Sequence, residues 1–344
     1  MSGRLQQALR EQVRRMLVLN PSLRPWHFPL VAGLCTGLPV LLGAWLGRLD
    51  LGVLGSLGGM VILYLPQATV AYRLVTLVVC GFGFATSFTL AALAGGPSWV
   101  SALVLGLVTM LINLVCRFYS VAPPGRFFFV MIASLASTAS LDLALLPEKV
   151  GVMVMGSMLA CLLVFGYSLL LPAPSGGREP HHPADWYLRR LWLESLLIGA
   201  LVGGSFLLAL LLGLDNPYWV PISCAAVLQG NSVSMLIQRK LHRILGTAVG
   251  LVLAWLLFSL PPDPWLLATL VILLNFAIET LVTRNYGLAV VFITPLTVLL
   301  AGMLQHGAPP EQLVLARMVD ILLGSLCGLL GGSLLQWLPS PRRS

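Results

Sequence analysis

The sequence predicts an all-α polytopic membrane protein with about twelve transmembrane segments in two parallel six-segment pseudo-repeats, both ends in the cytoplasm. Three observations predict it. Of 344 residues, 58% are hydrophobic and only 9% are charged, whereas soluble domains carry about a quarter charged residues. The apolar residues gather into runs on the scale of a bilayer, separated by glycine- and proline-rich seams at 95–99 (GGPSW), 122–125 (APPG) and 259–265 (SLPPDPW). The Lys and Arg that give the net charge of +8 lie between those runs. They therefore read as topology signals and exclude nucleic acid as the partner; the lipid bilayer is the partner instead.

Taken in order, residues 1–25 form a cytoplasmic amphipathic helix. Leu5, Leu9, Val13 and Met16 share one face and Arg4, Arg10, Arg14 and Arg15 lie elsewhere, as in a helix lying on a membrane surface. This stretch lacks the apolar core and small-residue cleavage site of a signal peptide. The first membrane half, 26–172, holds apolar segments at 28–47, 51–66, 73–94, 99–116, 126–143 and 150–171. A polar, proline-rich cytoplasmic linker covers 173–192. The second half, 193–338, holds segments at 193–214, 218–230, 243–260, 265–282, 286–304 and 315–338, and 339–344 is a basic tail. With the N-terminus inside and the segments alternating, only Arg48, Lys149 and Arg317 of the 20 Lys and Arg fall toward the outer side. The reverse orientation inverts that ratio.

The halves repeat each other. GLCTG (33–37) before Asp50 matches GALVG (199–203) before Asp215. Arg73 and Arg243 open the third and ninth segments, and Asn113 and Asn275 sit at corresponding places in the fourth and tenth. Lys149 and Arg317 each precede a Gly-Ser pair by seven residues. Six segments per half give both copies the same orientation, hence a parallel repeat. The glycine pairs Gly33/Gly37 and Gly199/Gly203 read as close helix packing.

Segments two and eight are short. The eighth enters through Tyr218 and Trp219, carries Pro221 and stops near Gln229 and Gly230, and a basic amphipathic stub with Arg239, Lys240, His242 and Arg243 follows before a fresh apolar helix. Short, proline-bearing segments among full-length ones point to a transporter's binding site. Gln67 and Gln229 end these two segments, where their amides could line a polar cavity. Ionisable residues inside hydrocarbon each require an account. Arg317 and Asp320 are three apart, on one helical face and able to pair, with Asp320 near the middle of the bilayer. One reading makes Asp320 a proton-coupling carboxylate and Arg317 an anion-attracting charge; the other makes them a neutralised pair joining two helices. Arg73 and Arg243 are either snorkelling anchors or the rim of an electropositive vestibule suited to carboxylates. Asn113 and Asn275 either bond a neighbouring helix or orient a substrate. Tyr286, with Tyr218, Trp219 and Phe292, either stacks on an aromatic substrate or anchors the membrane interface.

Four motifs of the second half, YWVPISCAAVLQG (218–230), RKLHRILGTAVG (239–250), RNYGLAVVFITPL (284–296) and RMVDILLGSLCG (317–328), resemble the FUSC family, the fusaric-acid-resistance or aromatic-acid-exporter-like group of bacterial inner-membrane proteins. The resemblance implies a multi-pass protein of the bacterial inner membrane that exports aromatic carboxylic acids or related small organic anions. It also implies a periplasmic adaptor protein as partner, and a homo-oligomer is the expected assembly. Many members carry a large soluble cytoplasmic domain, whereas about twenty residues separate the halves here. Energy is expected from the proton gradient, because there is no nucleotide-binding GxxxxGK[ST] motif. No HExxH or GxSxG signature suggests an enzyme. The six cysteines stand alone, with no CxxC and no Cys/His cluster, so neither a metal nor a cofactor is expected. The rival readings are a passive anion channel and a non-transporting membrane scaffold for envelope assembly.

Overall fold

The computed structural model describes residues 19–21, 24–138, 142–170, 185–230, 232–260, 263–304 and 310–336. The expected amphipathic helix before residue 19, most of the linker and the C-terminal tail lie outside them. Twelve α-helices are present among the described residues: α1 (His27–Trp45), α2 (Leu49–Gly59), α3 (Val70–Leu93), α4 (Ser98–Phe118), α5 (Phe127–Ala136), α6 (Leu146–Leu170), α7 (Asp185–Leu211), α8 (Trp219–Val227), α9 (Val233–Phe258), α10 (Pro264–Leu281), α11 (Tyr286–Leu304) and α12 (Pro310–Gln336). Each of the twelve apolar runs corresponds to one helix. Nine are long and apolar enough to cross a membrane. The chain is thus a multi-pass, all-helical membrane protein.

The three others are α2, α5 and α8. At about 1.5 Å per residue, the nine residues of α8 cover less than half of the roughly 30 Å hydrocarbon thickness. Helix α2 tightens into a 3-10 turn at Met60–Tyr64 before it stops. The short α5 departs from the expected span over 126–143. Its end is rich in hydroxyls, and Ser134 and Ser137 donate back to the carbonyls of Val130 and Ala133 at 2.7 and 2.9 Å. Such local bonds compete with continuation of a helix. A second departure matters more for function. The basic stub and the ninth apolar run are one continuous helix, α9, whose N-terminus is capped by the Ser232 hydroxyl accepting from Met235 N–H at 3.2 Å. With no break after Ser232, Leu236, Arg243, Thr247, Gly250 and Ala254 share one buried face.

Helix pairs in the two halves correspond. Helix α2 packs on α6 as α8 packs on α12, and α3 on α6 as α9 on α12. Likewise α3 packs on α5 as α9 on α11, and the cross-half pair α4–α7 has its counterpart in α10–α1. Corresponding ends also share a cap. Gly47 after α1 and Gly213 after α7 both take positive φ, 68° and 66°. The amides of Arg48 and Leu214 then close back on the carbonyls of Gly43 and Ala209 at 2.8 and 3.2 Å. That left-handed turn favours glycine.

In lipid, where apolar burial does not drive helices together, small residues let backbones approach. A Cβ at Gly199 would come within 2.5 Å of the Gly106 carbonyl oxygen, and one at Gly203 within 2.6 Å of that of Ala102. A Cβ at Gly324 would collide with the Val220 carbonyl oxygen, and one at Gly328 would lie 2.8 Å from that of Cys224. These contacts clamp α7 to α4 and α12 to α8. Gly324→Val is therefore expected to destabilise the fold by about 1–3 kcal/mol through overpacking against a backbone that cannot yield, read as a lower unfolding temperature in detergent.

Candidate functional site

Helix α8 is the centre of the site. Every residue of Trp219–Val227 is buried, so side chains that meet it do so inside the protein. Three arginines from two other helices line up along it. Nearest its start, Arg317 of α12 lays its guanidinium over the Trp219 ring, with Cζ 3.2 Å from the ring centroid. Its Nη2 donates to Thr297 Oγ1 of α11 at 3.5 Å. One turn on, Arg243 of α9 donates from Nη2 to Ser223 Oγ at 3.1 Å and from Nη1 to the Tyr286 hydroxyl at 3.4 Å. At the end of α8, Arg239 donates from Nη1 to Gln229 Oε1 at 3.0 Å and to the Ala226 carbonyl at 3.5 Å. Its guanidinium also lies over the Tyr286 ring, 5.1 Å from the centroid. Tyr286 therefore bridges the second and third arginines. Arg239 and Arg243 share a face because they are four apart on the uninterrupted α9.

The inner two arginines are incompletely satisfied. Arg317 and Arg243 are only 3% and 4% exposed. Arg317 Nε and Nη1, Arg243 Nε and the neighbouring His242 Nε2 have no hydrogen-bond partner. Asp320, 1% exposed, also leaves Oδ2 without one. The pair expected from the Arg317/Asp320 spacing is not closed, because the guanidinium stacks on Trp219 instead. Such cation–π contacts gain strength where water is excluded. The two groups still lie within electrostatic reach, as do Arg243 with Arg317 and Asp215 with Asp320. Buried polar atoms left unbonded cost roughly 1–3 kcal/mol each, more when charged. A cluster of unbonded cationic N–H donors fits an anion.

Asp215 also lines an open pocket of about 580 Å³ at the end of α7 and the entry to α8, together with Ser98, Ser101, Ser137, Thr138 and Pro217. The opposite end of α8 is held by a strap. The loop before α5 receives the Tyr64 hydroxyl on the Gly125 carbonyl at 2.6 Å and the Gln229 amide on the Pro124 carbonyl at 3.3 Å. Arg126 donates to the Leu228 carbonyl and to Asn113 Oδ1, both at 2.9 Å. One loop of the first half thus ties the ends of two short helices.

The structure brings Arg317, Asp320, Arg243, Tyr286 and Gln229 together around α8. Asn113 joins the strap, and its Nδ2 also donates to Ser195 Oγ of α7 at 2.9 Å, an interhelical bond. Asn275 bonds the Val271 carbonyl of its own helix at 3.0 Å. Arg73 is buried, but on Ser168 Oγ and the Pro66 carbonyl, at 3.0 and 3.3 Å. Gln67 is exposed and has no hydrogen-bond partner among the described residues. Glu279 pairs with Arg24 at 2.9 Å. Trp219, 7% exposed, is an interior residue and not an interfacial anchor. Sequence reasoning missed Arg126, Ser223 and Thr297. For Arg126 a signal existed, an arginine directly before an apolar run, but it reads equally well as a topology charge.

Residues 201–331 match the family model described as fusaric acid resistance protein-like, which spans α8 to α12 up to Gly331 and so includes the whole arginine row. The uncharacterized membrane protein YvaC of Bacillus subtilis is 23% identical over 458 residues, covering 90% of this chain and 73% of the relative. Because that alignment is longer than this chain, the relative carries residues with no counterpart here. The uncharacterized protein slr1298 of Synechocystis sp. is 31% identical over 134 residues, 39% of this chain and 17% of the relative. No solved structure matches.

Proposed function

We propose, from the match of residues 201–331 to the fusaric acid resistance protein-like family model, that the chain exports small organic anions across the bacterial inner membrane, aromatic carboxylates first among them. The observation that carries the reading is the row Arg239, Arg243 and Arg317 along the short helix α8, its inner two members buried. A carboxylate enters at Arg239, passes to Arg243 and Arg317 and leaves by the pocket that Asp215 lines. Guanidinium forks suit this passage because each can bind a carboxylate through two parallel N–H bonds and hand it on. Trp219 and Tyr286, already stacked against two of the cations, offer aromatic faces to a planar ring. The driving force is the proton-motive force. Its voltage alone favours outward movement of one negative charge by about 2.3 kcal/mol per 100 mV, and Asp320 adds a proton-binding group. The matched helix pairs and end caps support a duplicated six-helix unit with both termini inside. Orientation follows from the distribution of Lys and Arg.

The test is flux of benzoate from proteoliposomes holding the purified protein, with voltage and pH gradient imposed separately. Efflux above that of protein-free vesicles, lowered when the pH gradient is removed, is the expected result. Flux that follows voltage and ignores the pH gradient would identify a passive anion channel. Flux no greater than in protein-free vesicles, for benzoate and a panel of other organic anions alike, would leave the scaffold reading.

A further inference from the structure

We propose that Asp320 is the internal anion of the arginine row, competing with the transported carboxylate for Arg317 and Arg243, so that binding an anion favours proton uptake at Asp320. This rests on the transport reading above and adds to it regulation of the site by pH: the proton is taken up from, and given back to, the side on which the anion binds, so that it sets affinity there and does not travel with the anion.

Position carries the inference. On α12, Asp320 lies between Arg317, which stacks on Trp219 of α8, and Gly324, whose backbone packs on Val220 and Ser223. Arg243 donates to that same Ser223. Asp320 is thus one helical turn or less from the levels of both guanidiniums. The unbonded atoms are complementary: Nε and Nη1 of Arg317 and Nε of Arg243 are donors, and Oδ2 of Asp320 is an acceptor. Among the described residues, the charged and titratable groups facing this region are few. They are Arg317 on its own helix, Asp215 and Tyr218 from the entry to α8, His242 and Arg243 from α9, and Tyr286 from α11. Among them only Asp215 shares the sign of Asp320.

A carboxylate arriving at Arg317 and Arg243 therefore meets a second negative charge at close range and at low dielectric. Repulsion is relieved when Asp320 accepts a proton on its carboxylate. Linkage runs in one direction: with Asp320 protonated both guanidiniums are available to the ligand, and with Asp320 ionised they are shared. Anion affinity is thus greatest below the pH at which Asp320 ionises and falls as pH rises through it.

The experiment is isothermal calorimetry of benzoate binding to the detergent-purified full chain, in two buffers of different ionisation heat, across roughly pH 6–9, where benzoate itself stays ionised. The wild-type protein is expected to absorb a fraction of a proton per benzoate, roughly 0.7 at most for a 30-fold coupling, over the pH range in which Asp320 ionises, and to bind more weakly at higher pH. Asp320→Asn is expected to bind roughly 30-fold more tightly at the alkaline end, with no proton absorbed and no dependence on pH. Benzoate binding with no proton exchanged in the wild type at any pH would overturn the proposal while leaving the transport reading intact. So would an Asn variant that binds no more tightly than the wild type. Absence of benzoate binding in both proteins would overturn both. The proton count needs no variant, so the proposal stands or falls even if Asp320→Asn does not fold.

Discussion

Arg243→Gln is expected to lower benzoate flux by about two orders of magnitude while the protein remains folded. Arg243 stands at the middle of the row, 4% exposed, where no water shell can replace its charge. For a carboxylate about 4–5 Å away at an effective dielectric near 20, removing the cation forfeits roughly 3–4 kcal/mol, or more than 100-fold. Glutamine keeps a donor for Ser223, so the helix contact survives. Two companions separate charge from structure. Tyr286→Phe removes the other hydrogen bond of Arg243 but leaves the charge, and flux should change by less than about threefold. Arg239→Gln removes the cation at the wetter end of α8. Its effect should be about tenfold at low salt and shrink as salt rises, because exposed charges act by steering and are screened. The loss at Arg243 should persist at high salt. Wild-type flux in Arg243→Gln would remove the row from the transport path.

The class of fold was legible because lipid imposes it. Apolar runs, seams and the placement of Lys and Arg follow from the cost of polar groups in hydrocarbon, and every run corresponds to a helix. Brevity of the second and eighth runs was legible too, as were the glycine pairs, because Gly199 and Gly203 can serve few ends other than close approach. Of the residues singled out in the sequence, five meet around α8 and four, Arg73, Gln67, Asn113 and Asn275, do not. Arg317, Asp320, Arg243, Tyr286 and Gln229 stood out by residue type and depth. That Arg317 turns to Trp219 and away from Asp320 depends on α8 lying beside α12, which no local pattern records. The continuity of α9 was misread because four basic residues near its start resemble an interfacial helix, whereas the capping serine at 232 was the better signal. Short α5 was missed because its hydroxyl-rich end is still apolar enough on average to resemble a span. Arg126 was missed for a deeper reason: its partners, Asn113 and the Leu228 carbonyl, lie 13 and 102 residues away.

Arg126→Ala is expected to destabilise the protein by about 3–6 kcal/mol, two acceptors each losing a charged donor, and to loosen α8 specifically. The last carbonyls of a helix have no partner within it, and the helix dipole makes that end negative. In α8 two arginines supply what is missing, Arg239 at Ala226 and Arg126 at Leu228. The second comes from the other half of the chain. Losing it leaves the Leu228 carbonyl and Asn113 Oδ1 without donors and cuts one of the two bonds by which the strap holds the end of α8. The remaining bond, Gln229 to the Pro124 carbonyl, is longer. Arg126→Lys should fall midway, since a single ammonium cannot span both acceptors as the fork does. Unfolding temperature in detergent reads the stability. Hydrogen exchange over 219–230 reads the location, and protection there should fall before it falls in α4 or α7. If exchange rises evenly across all helices, Arg126 acts through general packing. If neither measurement moves, the strap does not hold α8, and the coupling between the first half and the arginine row has to run through the glycine contacts of α12.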